Sequence, residues 1–328
     1  MPSIKVAILG FGTVGEGVYR ILQEKREEIK RSTGFTVDVV SILVKDKAKE
    51  RMPITGAKFT DDIQEILGNP EIDIVLEAIV GEEPAYTYLS DAIEKGCHII
   101  TANKKMFAKH GPALMKHAEF RDVQVGFEAT TAGGVPVIRT VSNLLASDRI
   151  KRIQGILNGT SNFILTKMRD EGSSFKQALS DAQQNGFAEA DPADDVDGTD
   201  AFRKLMILSS LAFGQQPDWE DVPVVGIDHL KSIDIIDASK GDLRYRHVAD
   251  IWKDEKGKLQ ATVGPVLIGA DHPLFSIDGV DNAIILDTEY LGSLTLVGPG
   301  AGMYPTGSAM VADLLHIIRQ HKAVMVPN

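Results

Sequence analysis

Residues 4–22 read IKVAILGFGTVGEGVYRIL, and this stretch decides the fold. Residues 4–9 are apolar except for Lys5, and short enough for a strand buried on both faces. Gly10, Gly12 and Gly15 follow in the spacing G-x-G-x-x-G, with Phe11, Thr13 and Val14 between them. Val14, Val18, Ile21 and Leu22 then recur at helical spacing. Strand, glycine turn and helix in this order make a dinucleotide-binding fingerprint. The first glycine permits the tight turn. The second lets the backbone approach a pyrophosphate, and the third lets the helix pack closely on the strand. The N–H groups that open the helix favour the phosphate charge. A glycine-rich turn without a ligand is the other reading, and it does not require this order of elements.

More units of the same kind follow. Residues 37–44, 72–79, 97–101 and 123–127 read as further strands, with helices over 84–95 and 112–120 among them. Alternating strands and helices predict a doubly wound parallel sheet of Rossmann type. Its ligands lie beyond the carboxyl ends of the strands.

The bulk composition agrees with a soluble enzyme. The chain has 328 residues, 43% hydrophobic and 25% charged, enough for two domains. A net charge of -11 argues against nucleic acid, which needs a basic face. No apolar run reaches the length of a membrane span. The N-terminus enters the first strand without the order of a signal peptide, so a cytoplasmic location is expected. The single cysteine, Cys97, excludes an intramolecular disulfide framework and reads as a small buried thiol.

Two lysine-bearing turns stand at strand ends on the cofactor side. After the second strand comes VKDKAK, with Lys45 and Lys47 around Asp46. A site for NAD usually places an acidic residue there for the ribose hydroxyls. Two lysines suit a 2′-phosphate instead, so NADP(H) is the expected cofactor; Asp46 on the ribose, with NAD(H), is the alternative. After the fourth strand comes TANKK, where Lys104 is either a ligand-facing group on the cofactor side or a solvated surface charge.

The second half carries the less common features. FEATTAGGVPVIRTVSNLL, residues 127–145, places Glu128 at a strand exit before Gly133-Gly134 and an amphipathic helix. Two readings stand for this turn: a helix-capping loop, or a carboxylate and backbone carbonyls around a hard cation. Residues 151–168 form a strand, the polar junction NGTSN with Thr160 at its centre, and a helix. That junction is a ligand-facing set of donors or a well-capped helix start. A helix over 175–185 leads into FAEADPADDVDGTDAFRKLMIL, residues 187–208. The acidic segment runs directly into an apolar helix, where Asp200 and Lys204 share one face at i, i+4. An exposed salt bridge is the commoner fate of such a pair. Here Lys204 immediately precedes LMILSSLAF, which must be buried, and partial desolvation lowers a lysine pKa toward the range useful for proton transfer. From about residue 223 to 300 the chain reads as strands joined by turns, an antiparallel or mixed sheet. A glycine loop (298–307) and a final amphipathic helix (308–320) follow.

GFGTVG (10–15), TANKK (101–105), EATTAGGVP (128–136), NGTSNFI (158–164), EADPADDVDGTDAFRK (189–204) and GPGAG (298–302), in that order, resemble homoserine dehydrogenases. The acidic motif is highly specific and the match covers nearly the whole chain. The resemblance implies a dinucleotide-binding domain over 1–135, completed by a C-terminal helix over 304–328. It implies an α+β catalytic and dimerisation domain with a mixed sheet over 136–303, and a homodimer. The implied reaction is NAD(P)-dependent interconversion of L-homoserine and L-aspartate 4-semialdehyde, in threonine, methionine and isoleucine biosynthesis. In that reading Lys204 is the proton donor, Glu189 and Asp200 bind substrate with Thr160 nearby, and Lys104 serves both substrate and cofactor. Gly186 and Gly302 fall at cofactor positions. Glu128, with the carbonyls of Thr131, Gly133 and Val135, matches a structural sodium or potassium site; TTAGG replaces the commoner SVAGG, which leaves carbonyl ligands unaffected. Many members carry an ACT regulatory domain, and the sequence ending at Asn328 is expected to be a form without one. Two rival readings remain: another small-molecule dehydrogenase of this architecture, and a non-catalytic nucleotide sensor.

Overall fold

The computed structural model describes residues 2–325, without the side chains of 321–325. The chain divides into two compact units: residues up to Gly134 together with those from Gly302 onward, and Val135–Ala301.

The first unit opens with β1 (Ser3–Leu9), α1 (Thr13–Glu24), α2 (Arg26–Thr33) and β2 (Thr36–Leu43). Then come β3 (Lys58–Thr60), α3 (Gln64–Leu67), β4 (Ile74–Glu77) and α4 (Ala85–Glu94). β5 (His98–Thr101), α5 (Lys104–Phe120) and β6 (Val125–Gly126) complete the run. The six strands pair in parallel in the order β3-β2-β1-β4-β5-β6. The five strands expected from the sequence are present to within two residues at each end. The edge strand β3 and the helices α2 and α3 are too short or too polar to have announced themselves. The strand order reverses at β1, so the carboxyl ends of β1 and β4 flank the crevice where such sheets bind dinucleotides.

The expected helix start at residue 112 is corrected. α5 begins eight residues earlier, at Lys104, and carries Pro112 in its interior. Proline commonly opens helices, so Pro112 mimics a helix start inside α5. The real start is fixed by Asn103, whose side chain accepts from Met106 N, and by the buried Met106 and Phe107 behind it.

The second unit begins with α6 (Val137–Leu145), β7 (Ile150–Ile156), α7 (Gly159–Glu171) and α8 (Phe175–Gln184). α9 (Ala193–Val196), α10 (Thr199–Phe213) and α11 (Ser232–Lys240) follow. β8 (Leu243–Lys253), β9 (Leu259–Gly269), β10 (Asp281–Thr288) and β11 (Ser293–Pro299) close it. The strand order is β11-β10-β7-β8-β9, with every ladder antiparallel. The expected mixed sheet is met only by an isolated parallel bridge, Val224 to Val263. α11 lies where strands were expected: only Ile235 of its residues is buried, so its apolar pattern is too thin to mark a helix. α7, α10 and α11 pack against the sheet.

α12 (Met303–Met325) returns to the first unit. Its Met310, Leu314, Ile317 and Ile318 join Ile4, Val6 and Val18 in one core. It accounts for the helix expected over 304–328, of which residues 326–328 lie outside the described residues.

Candidate active site

In the first unit the three glycines of the loop differ in what surrounds them. Gly10 has φ 93°, and a Cβ there would stand 2.7 Å from the carbonyl oxygen of Ala78. A Cβ on Gly15 would stand 2.0 Å from the oxygen of Gly10. Those two glycines are demanded by the fold itself. Gly12 is different: a Cβ there would meet nothing within 4 Å. It is the N-cap of α1, and no side chain caps that helix start. The open space over Gly12, with the N–H groups of Thr13 and Val14 beside it, fits a pyrophosphate. Phe11 between them is half-buried and meets Tyr19 and Phe59 edge-on, at 5.9 and 5.3 Å between centroids.

Lys45 and Lys47 are both exposed beyond β2. Lys47 Nζ lies 2.7 Å from Asp61, and that hydrogen bond raises the lysine pKa. Lys104 is the first residue of α5, directly after the Asn103 cap. Gly302 begins the return to this unit, its oxygen accepting from Thr306 N at 3.1 Å. Cys97 is buried as expected, its Sγ donating to the Ile72 carbonyl, and burial pushes the thiol up to about 11.

Glu128 is also in this unit, 2% exposed, with its N–H donating to Asp313 Oδ2 at 2.9 Å. Thr131 and Gly133 are buried, and Ala132 and Gly133 have φ 54° and 53°. Two consecutive left-handed residues beside a buried carboxylate turn the backbone sharply, and oxygen donors of this kind suit a hard cation. Val135, buried, opens the second unit. No group of three or more His, Cys, Asp or Glu side chains able to hold a metal lies among the described residues; one carboxylate with backbone carbonyls is a different donor set.

In the second unit the acidic segment and the NGTSN junction meet. Asn158, after β7, is the N-cap of α7 and accepts from Ser161 N at 2.8 Å. Its Nδ2 donates to Asp195 Oδ1 at 2.7 Å and to Asp200 Oδ2 at 2.9 Å, so one amide bridges two carboxylates. Asp200 Oδ2 also lies 2.8 Å from Lys204 Nζ, and that ammonium donates to the Leu157 carbonyl at 2.6 Å. Asp200 and Lys204 are only 2% and 6% exposed. The surface-salt-bridge reading therefore fails: the pair is inside, at the carboxyl end of β7. The helix carrying it enters from Gly198 at φ 91° and buries Leu205, Met206 and Leu208.

Other expected residues lie around this centre without joining it. The Thr160 hydroxyl donates to the Phe187 carbonyl at 2.7 Å, so it ties down the start of the acidic segment. Glu189 and Gly186 are exposed, and the Glu189 carbonyl accepts from Gln183. Asp195, the Leu157 carbonyl and the bridging function of Asn158 were not anticipated. A capping Asn with Ser three residues later was visible, but its carboxylate partners lie 37 and 42 residues away.

Comparison with known proteins bears on both units. A family model described as the homoserine dehydrogenase NAD binding domain matches residues 10–128, and one described as homoserine dehydrogenase matches 136–315. The chain belongs to the homoserine dehydrogenase family. Members are NAD(P)-dependent oxidoreductases that interconvert L-homoserine and L-aspartate 4-semialdehyde, and the resemblance drawn from the motifs is borne out. The homoserine dehydrogenase of Bacillus subtilis is 37% identical over 329 residues, covering 100% of this chain and 76% of that one. A crystal structure of a homoserine dehydrogenase from Thiobacillus denitrificans superposes with TM-score 0.94 at 39% identity, covering 98% of this chain and 75% of that one. A hyperthermophilic archaeal homoserine dehydrogenase in complex with NADPH superposes with TM-score 0.79 at 27% identity, covering 99% of each chain. Among the described residues no helix is long and apolar enough to cross a membrane.

Proposed function

We propose that this family member reduces the aldehyde of L-aspartate 4-semialdehyde, and reoxidises L-homoserine, with Lys204 as the proton donor and acceptor. The observation that carries this reading is the buried Lys204 ammonium, 2.8 Å from Asp200 and 2.6 Å from the Leu157 carbonyl. A lysine held by two acceptors inside the protein has a defined direction, which proton transfer needs. The dinucleotide, when bound, supplies the hydride chemistry. Lys204 gives its proton to the carbonyl oxygen in the reducing direction and takes it back in the other. Asp200 keeps Lys204 oriented. Asp195 and Asp200, bridged by the Asn158 amide, concentrate negative charge that suits the substrate ammonium, and Glu189 adds a carboxylate from the same segment. Thr160 holds the start of that segment.

In this reading the first unit is the dinucleotide-binding domain and the second the catalytic and dimerisation domain. Gly10, Gly12 and Gly15 with Phe11, Thr13 and Val14 bind the dinucleotide, and Lys104 contacts both cofactor and substrate. Gly186 and Gly302 border the cofactor. NADP(H) is preferred over NAD(H) through Lys45 and Lys47, and NADPH bound to the archaeal relative supports that reading. Glu128 and the carbonyls of Thr131 and Gly133 hold a sodium or potassium ion in a structural role. A homodimer has support in the edge strand β9, where Val266 and Leu267 are 42% and 47% exposed. We assign the protein to the cytoplasm and to threonine, methionine and isoleucine biosynthesis. The direct test is a spectrophotometric assay of L-homoserine with NADP and then NAD. Turnover with NADP well above NAD supports the proposal; no turnover with either removes it.

A further inference from the structure

Glu77 closes β4 and is fully buried, a carboxylate in the first unit that the chemistry above does not use. Three donors converge on it. Thr101 Oγ1 donates at 2.5 Å, Ile79 N at 2.6 Å and Asn103 Nδ2 at 3.4 Å. The Glu77 carbonyl also accepts from Ala102 N at 3.0 Å. A residue at one strand end thus grips the neighbouring strand end and the turn that follows it.

The partners extend the grip to α5. Thr101 Oγ1 accepts from Asn103 N at 2.9 Å, and Asn103 Oδ1 accepts from Met106 N at 3.0 Å, which caps the helix. Asn103 Nδ2 donates to the carbonyls of Ile79 and Gly81 at 3.0 and 2.7 Å. Lys104 N donates to the Ala102 carbonyl at 3.1 Å. The 79–81 loop, the end of β5 and the Asn103 cap before Lys104 therefore each touch Glu77 directly or through one residue. A solvated turn needs no such anchor, and a carboxylate taken out of water is costly unless its hydrogen bonds are made.

We propose that Glu77 is a positioning residue: through Thr101 and Asn103 it fixes the 79–81 loop and the first turn of α5, and so sets where Lys104 presents its ammonium. This rests on the reading that Lys104 contacts cofactor and substrate. It assigns Glu77 no contact with either.

The test is a double-mutant cycle between Glu77→Gln and Lys104→Ala, read as kcat/KM for L-homoserine with saturating NADP. If Glu77 acts through Lys104, Glu77→Gln lowers kcat/KM about tenfold in the wild-type background and less than twofold beside Lys104→Ala. An equal factor in both backgrounds overturns the inference, because a general loss of structure would not distinguish them. So would Glu77→Gln within twofold of wild type. Thr101→Val, which removes only the hydroxyl from the same network, passes through the same cycle and decides the matter if Glu77→Gln does not fold. Lys104→Ala with unchanged kcat/KM removes the Lys104 reading and this inference with it. Failure of the wild type to oxidise homoserine, by contrast, is a failure of the proposed function.

Discussion

Lys204→Met separates the two jobs assigned to the buried pair. Methionine keeps the volume and the unbranched stem of lysine but cannot give a proton. Losing a positioned general acid costs about 10²–10⁴ in rate, so kcat should fall by that range. Stability should fall as well, for a different reason. Asp200 is 2% exposed, and without Lys204 its carboxylate keeps the Asn158 amide but loses the ammonium at 2.8 Å. Removing one partner of a buried pair costs about 3–5 kcal/mol, because the remaining charge stays out of water. In a unit of this size each kcal/mol lowers Tm by about 2–4 °C.

The double variant Asp200→Asn/Lys204→Met tells the two losses apart. It leaves no uncompensated charge, so Tm should recover most of what Lys204→Met lost. The rate should not recover. The assays are steady-state turnover of homoserine with NADP and thermal melting by differential scanning fluorimetry. A folded Lys204→Met variant with kcat within about threefold of wild type would refute the proton-donor role and move it to Lys104. A double variant melting as low as Lys204→Met would refute the charge-pair account of stability.

Three further outcomes follow from other parts of the molecule. Lys45→Ala should weaken NADPH about 10–100-fold while leaving NADH within a few-fold, the loss of one charge-assisted contact to a 2′-phosphate; Lys47→Ala should do less, since Lys47 already holds Asp61 at 2.7 Å, and equal weakening of NADPH and NADH by Lys45→Ala, measured by fluorescence titration, would reject the assignment. Exchanging sodium and potassium for a bulky organic cation should lower Tm of the wild type but not of Glu128→Gln, and identical melting of the wild type in both buffers would count against the cation site. Burial pushes the Glu77 carboxyl from 4.5 up to about 7, so the folded state holds this proton after the unfolded chain has lost it. Stability from this group is therefore complete below about pH 4.5 and declines up to about pH 7, by about 3 kcal/mol at most; Glu77→Gln should lack that slope, and parallel Tm-against-pH curves would disprove it.

What could be read in the sequence was what lies within a few residues of itself. Gly10, Gly12 and Gly15 sit inside one strand, turn and helix, so spacing alone reported that turn, and the structure separates the two glycines the fold demands from the one it leaves open. Asp200 and Lys204 were legible for the same reason: four residues on a helix make one face, and the apolar run behind them dictated which way it points. The illegible parts are pairings between distant segments. Nothing local to Asn158 says that its amide will bridge Asp195 and Asp200, because β7 and α10 are brought together by the sheet rather than by sequence. β7 lies between β10 and β8 in the second sheet, and that order has no signature in the alternation of any one strand. Glu77 is the sharpest case. In IDIVLEAI it breaks an apolar strand and looks like an edge or an error. Only when β5 is laid beside β4, with Glu77 opposite Thr101, does the carboxylate meet its donors. An ionisable group at the end of a fully buried strand is costly enough that it has a partner elsewhere in the chain. That inference was open from the sequence; the identity of the partner required the strand register.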